Sequence, residues 1–280
     1  MKTNAFDTRR FWQTLKWTVL TEKKSILTAF AAFLVAFLAI QLFSCFTIFD
    51  INRSLGPAAT MAGTGTCAAI LGFMAAYYAS GILGNARTTQ QRTTALMLPA
   101  SNLEKFIARI IYCCIGMLIV LYLAALAATG LRMFLELIAG HDQITAELGI
   151  LFGYVSPYGY DEQIENGISF GPLFPTAITL WSTSLYVLGG AFFRKRPFVW
   201  TNVVLFAGGL LLFSIVFYVA TLIGEEELLH MLDPIFKNMT AEAFFNWVSV
   251  FLFAFTALNV WLSYRLFSRL QVVQHKWFNL

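Results

Sequence analysis

Six uncharged apolar stretches, near 25–49, 58–84, 110–131, 172–193, 198–224 and 243–264, restrict this chain more than any other feature. Each reaches the ~20 helical residues that cross a hydrocarbon layer ~30 Å thick. Backbone amides in lipid must find partners within their own segment, so the stretches are expected to be helices. A membrane barrel would need ten-residue segments of alternating hydrophobicity, and none is present. The chain is 58% hydrophobic and 12% charged, where a soluble domain carries roughly a quarter charged residues. The expected fold is therefore all-α integral membrane, residues 1–280 forming a single membrane domain. A mostly polar segment precedes the first stretch and no small-residue cleavage site follows it, so no cleavable signal peptide is expected. Cys45, Cys67, Cys113 and Cys114 all lie within the stretches, which implies small core residues and no disulfide framework.

Basic residues set the orientation. With the N-terminus in the cytosol, 16 of the 19 Lys and Arg residues lie inside, and only Arg53, Arg132 and Lys237 fall outside. Asp7, Glu22 and Glu104 are then the inner acids, and the other 12 of 15 are outer. Both termini are expected to be cytosolic. Topology accounts for the basic residues, so the net charge of +4 gives no reason to expect a nucleic-acid partner.

Residues 8–22 read as an amphipathic helix lying in the inner headgroup layer. Phe11, Trp12, Leu15 and Val19 share one face, with Arg9, Arg10, Gln13 and Lys16 elsewhere; an ordinary basic flank is the alternative. In the second span Thr60, Thr64, Ala68, Gly72, Ala76, Ser80 and Gly84 form a stripe of small residues that lets another helix approach closely. Packing within one subunit and a lining for a substrate path both suit it. Two segments are expected outside, 132–171 and 225–242, the first acidic and turn-rich, the second a short helix broken near Pro234.

Chemistry-bearing motifs are scarce. A phosphate-cradling loop needs G-x-x-x-x-G-K-[ST], and the glycine-rich run at 63–72 has no lysine. His141, His230 and His275 are far apart and match no metalloprotease spacing; Glu227, His230 and Asp233 are explained by a solvated helix end. Ion-coupled carriers place ionisable groups at membrane depth, whereas the six spans offer hydroxyls and amides such as Ser182, Thr183, Asn202 and Asn259, suited to interhelical hydrogen bonds.

The cytosolic stretch 85–105 is the most specific local signal. Ser101-x-x-Glu104 is a capping box, and Pro99 excludes helical geometry just before it. The third helix should therefore begin near 101, below the bilayer. Leu96, Met97 and Leu98 precede it as an apolar knob beside Arg92, which either docks in a partner's groove or folds back under the bundle.

In its N-terminal elbow helix, its six spans with both ends inside, and its loop "RTTALMLPASNLEKFIAR", the chain resembles the permease subunits of ABC-2 type transporters. The short outer segment between spans five and six is similar as well, whereas the 132–171 connection is longer than the family often has. The resemblance implies a type V exporter-like membrane fold in a bacterial inner membrane. It implies no catalytic site, metal or cofactor in this chain, with ATP and Mg on a separate ABC ATP-binding subunit. It carries an ATPase-coupling role onto Arg92, Leu96, Met97, Leu98 and Pro99, with Ser101 and Glu104 setting the lever to the third span. It also implies dimerisation with a second permease copy or a paralogue, the path and dimer contact bordered by Thr60, Thr64, Ala68, Gly72 and Ala76 of span two and Gly208 and Gly209 of span five. The rival expectations are a non-transport scaffold or sensor acting through its acidic outer loops, and an autonomous carrier or channel.

Overall fold

The computed structural model describes residues 6–49, 56–84, 90, 93–94, 97–138, 173–224 and 241–269, with side chains described for all of these but 44–49, 56–64, 136 and 241–242. Among the described residues the chain is all-helical. In order, α1 spans Thr8–Thr21, α2 Lys23–Phe49, α3 Gly56–Ala79, and α4 Asn102–Ile110. A π-helical segment, Ile111–Gly116, then leads into α5, Met117–Ile138. Helices α6 (Leu173–Phe192), α7 (Pro197–Ile223) and α8 (Ala241–Ser268) follow. Among the described residues four stretches are long and apolar enough to cross a membrane: Lys23–Phe43, Asn102–Leu135, Pro197–Ile223 and Ala243–Ser268. The chain is a multi-pass membrane protein.

The helices gather into two bodies, α1–α5 in one and α6–α8 in the other. In the first, α5 packs against α2 and α3 through Ala124, Ala125 and Ala128, which meet Phe37 and Cys67 in a fully buried cluster. Alanines four apart bring the backbones close enough for extensive dispersion contact, the main packing force once lipid replaces water. This run does more of the close packing than the stripe on α3. Ala68 and Ala76 are only partly buried, and a Cβ placed on Gly72 would meet nothing within 4 Å. Thr60 and Thr64 lie on the helical backbone of α3, which ends at Ala79; a turn holds the buried Ser80, whose Oγ donates to the Tyr77 carbonyl at 2.7 Å.

The third span runs past its expected end at 131. No breaker intervenes before Gly140, and Met133, Phe134 and Leu135 continue the apolar helix to Ile138. Arg132, expected in an outer loop, instead sits within α5 and is 2% exposed. One turn earlier, Thr129 Oγ1 accepts from Gln41 Nε2 at 3.0 Å and donates to the Ala125 carbonyl at 3.0 Å. The expected 132–171 outer segment therefore begins as helix; 139–171 and 225–240 lie outside the described residues.

In the second body, α6 is the central element, packed on both α7 and α8. Side-chain bonds cross between helices: Asn259 Nδ2 donates to Ser184 Oγ at 3.0 Å, and Tyr186 Oη donates to Asn202 Oδ1 at 3.0 Å. Asn202 and Asn259 thus act as expected. Ser182 and Thr183 do not, because both hydroxyls donate to the Thr179 carbonyl of their own helix. Gly189 permits the closest approach: a Cβ there would lie 1.9 Å from Thr201 Oγ1. The turn between α6 and α7 is tight, with Arg196 at φ 48°, ψ 56° as N-cap residue and Pro197 opening α7. Proline suits that position because its missing N–H would have no intrahelical acceptor.

Candidate functional site

The stretch 101–109 has the most elaborate polar structure among the described residues of the first body, and it begins with the expected cap. Ser101 is extended (φ −67°, ψ 155°), its Oγ accepts from the Glu104 amide at 3.2 Å, and Glu104 Oε2 accepts from the Ser101 amide at 2.8 Å. Two amides at the start of α4 that would otherwise have no acceptor are thereby satisfied reciprocally.

The second carboxylate oxygen does something the local pattern does not announce. Glu104 Oε1 accepts from the amide of Asp7 at 2.8 Å and lies 3.5 Å from Arg10 Nη2. Asp7 is itself the N-cap of α1, its Oδ1 accepting from the Arg9 amide at 2.9 Å. One carboxylate therefore ties together the starts of two helices 97 residues apart. Both helix N-termini favour negative charge. Glu104 is completely buried. Burial opposes its ionisation, but the amides of Asp7 and Ser101, together with the Arg10 guanidinium, outweigh that cost and hold the carboxyl below its ordinary range. Glu104 belongs to the basic-side end of α4: the 34-residue stretch 102–135 is about 51 Å long, well beyond a ~30 Å hydrocarbon layer, so its polar first turns lie outside it.

Arg109 forms a second tie from the same helix. Its Nε donates to the Ile82 carbonyl in the turn after α3 at 3.1 Å, its Nη1 lies 3.7 Å from Glu22 Oε1 at the α1–α2 junction, and its Cζ lies 5.2 Å from the centre of the Tyr112 ring. Glu104, Phe106, Ala108 and Arg109 form the buried side of α4, while Asn102 and Leu103 face outward. Directly beyond Arg109 comes the π-helical segment, where the hydrogen-bond register changes before the span proper.

The apolar knob stands just ahead of this framework. Met97 is 80% exposed, Pro99 is exposed and Leu98 is half-buried, and a short turn donates the Ala100 amide to the Leu98 carbonyl at 2.8 Å. Arg92 and Leu96 lie outside the described residues. The structure thus brings together Met97, Leu98, Pro99, Ser101 and Glu104 at one helix start. It adds Asp7, Arg10, Glu22 and Arg109, which the sequence showed only as charged flanks. A signal for them was present: the three acids of the expected cytosolic side are the three that carry these ties.

The elbow helix α1 buries Phe11, Thr14 and Thr18 against the protein, while Trp12 and Val19 are exposed. Part of its expected apolar face is therefore free to meet lipid, and a threonine-lined strip meets the bundle. Gly208 and Gly209 lie on exposed positions of α7, where added Cβ atoms would meet nothing within 4 Å. Among the described residues no group of three or more His, Cys, Asp or Glu side chains could hold a metal ion. No family model matches the chain, and neither the curated proteins nor the solved structures provide a match.

Proposed function

We propose that this chain is the membrane-spanning permease subunit of an ATP-driven ABC-2 type exporter. In this reading six spans cross a bacterial inner membrane with both termini in the cytosol, α3 and α6 supplying the second and fourth. A separate ABC subunit binds ATP and Mg and docks on the segment around Met97. A second permease copy or a paralogue faces α7, where Gly208 and Gly209 leave room for close helix approach.

The observation that carries the reading is an exposed apolar tip rigidly joined to a span. Met97 projects from a turn that leads straight into a doubly capped helix, and that helix is fastened to α1, α2 and α3 through Glu104 and Arg109. An apolar side chain presented on the basic side of a membrane protein fits a partner's groove. A push on it would move α4 as a unit and reach α5 through the π-helical segment, and such transmission requires a stiff element with contacts that differ between two states.

Co-purification tests the proposal. The chain, solubilised in mild detergent, should bring with it a protein carrying a nucleotide-binding P-loop. Leu96→Asp with Met97→Asp should abolish that association while leaving the thermal unfolding midpoint unchanged. Retention of the partner by the folded double variant would refute the docking role.

A further inference from the structure

In the second body the helices leave a wedge. Gly189 draws α7 onto α6 at the Thr201 side chain, while α8 lies along α6 through the Ser184–Asn259 bond. Between them opens a groove of about 580 Å³, floored by Leu188 and Phe192 of α6 and walled by Val204 of α7 and Leu262 and Leu266 of α8. That volume falls within the ~300–1,000 Å³ of small-ligand clefts. The lining is almost wholly apolar, and the hydroxyl of Thr201 already donates to the Pro197 carbonyl at 2.7 Å. Charge enters at one end only. Arg265 and Arg269, one helical turn apart and both exposed, border the groove, and Arg265 folds its guanidinium over Trp261 at 4.4 Å. The chain continues from the lining residue Phe193 directly into Arg194, Lys195 and Arg196.

We infer that this groove binds an anionic phospholipid, one acyl chain lying against Leu188, Phe192 and Val204 and the phosphate meeting Arg265 and Arg269. The chemistry at the two ends differs as a phospholipid's does. Hydrocarbon fills an apolar wedge that offers few hydrogen-bond partners, and guanidinium groups at the headgroup level pair a phosphate in a two-pronged geometry that a zwitterionic headgroup largely neutralises. A second copy of the chain fits less well, since covering the groove would take both exposed guanidinium groups out of the headgroup layer. The assignment uses the proposed topology only to name the leaflet, the inner one, and is independent of the proposed ATP-binding partner.

Native mass spectrometry of the purified chain, titrated with phosphatidylglycerol and phosphatidylcholine, tests the site. Wild type should retain phosphatidylglycerol at roughly tenfold lower lipid concentration than phosphatidylcholine. Arg265→Ala with Arg269→Ala should remove that preference, and Arg265→Lys with Arg269→Lys should keep most of it. Val204→Trp, which fills the groove and leaves the arginines in place, should weaken both lipids. Equal binding of the two lipids by wild type would overturn the inference. So would a preference that survives in the alanine pair, or undiminished binding of both lipids by Val204→Trp, and so would a dimer that Val204→Trp separates while lipid binding stays unchanged. Loss of a co-purifying ATPase would leave all of these results standing, so the two proposals fail separately.

Discussion

The two bodies of this protein hold their helices together by different means. At the basic-side end of the first, charge ties the helices together: Glu104 caps α1 and α4, and Arg109 reaches a carbonyl in the turn after α3 and a carboxylate at the α1–α2 junction. In the second, α6 joins its neighbours through a glycine, two amides, a serine and a tyrosine, and most of α7 between Val203 and Leu222 is exposed. Polar ties between buried partners fix angles and register, because a misplaced charge or amide pays the full cost of lost solvation. The ties of the second body named above are neutral, so a shift there forfeits less than the displacement of a buried charge. Under the proposed function this contrast would be a division of labour, the first body carrying a displacement and the second offering adaptable surfaces to lipid and to a second subunit.

Breaking the polar framework should have the largest effect. Arg109→Ala leaves the Glu22 carboxylate and the Ile82 carbonyl without their partner, and loss of a buried charge-assisted hydrogen bond together with a partly exposed ion pair costs about 3 kcal/mol. Thermal unfolding in detergent should register that loss, together with freer exchange of amides in the turn after α3. If Arg109→Ala unfolds at the wild-type temperature, the framework is not what holds the first body. The matching break in the second body is Gly189→Ala. Its Cβ would collide with Thr201 Oγ1, Cγ2 and Cβ at 1.9, 2.8 and 2.9 Å, and the β-branched side chain cannot swing clear, so about 2 kcal/mol should be lost to overpacking. Adding Thr201→Ala should restore part of it; no restoration would mean that the α6–α7 approach is set elsewhere.

Smaller changes sharpen the comparison. Ser101→Ala removes one cap and should cost about 1 kcal/mol, with no effect on the second body. The carboxyl of Glu104 gives a pH signature. Its folded value lies below its unfolded value, so its stabilisation is complete above the ordinary carboxyl range near 4.5 and is lost as pH falls through the folded value. Glu104→Gln should flatten that acid limb of the unfolding midpoint. An unchanged limb in this variant would place the acid sensitivity on other carboxyls.

Much of this was readable from the chain, and the reason is locality. The helix bounds near 25, 192, 197 and 223 follow from apolar runs ended by charge, glycine or proline. The cap at 101–104 was equally visible, since two residues three positions apart supply all of its donors and acceptors. What escaped depends on distance along the chain. Glu104 meets Asp7 across 97 positions and Arg109 meets Ile82 across 27, pairings for which neither sequence neighbourhood carries a mark. Arg132 escaped for another reason: a charge at the edge of an apolar run reads as the end of a span, whereas here the helix continues and encloses it. The stripe on α3 was visible, but helical spacing shows which residues share a face and not which face meets a neighbour. Cys67 is enclosed, while Gly72, five residues on, is open.

A photo-activated cross-linker placed at Met97 in intact membranes tests the central claim most directly, because that exposed side chain is where an outside force would enter. The expected product joins this chain to a second protein that contains a nucleotide-binding P-loop, and its yield should fall when Leu96 is changed to Asp. Cross-links confined to this chain's own helices, or labelling of position 97 by a membrane-impermeant reagent from the outer side, would contradict it.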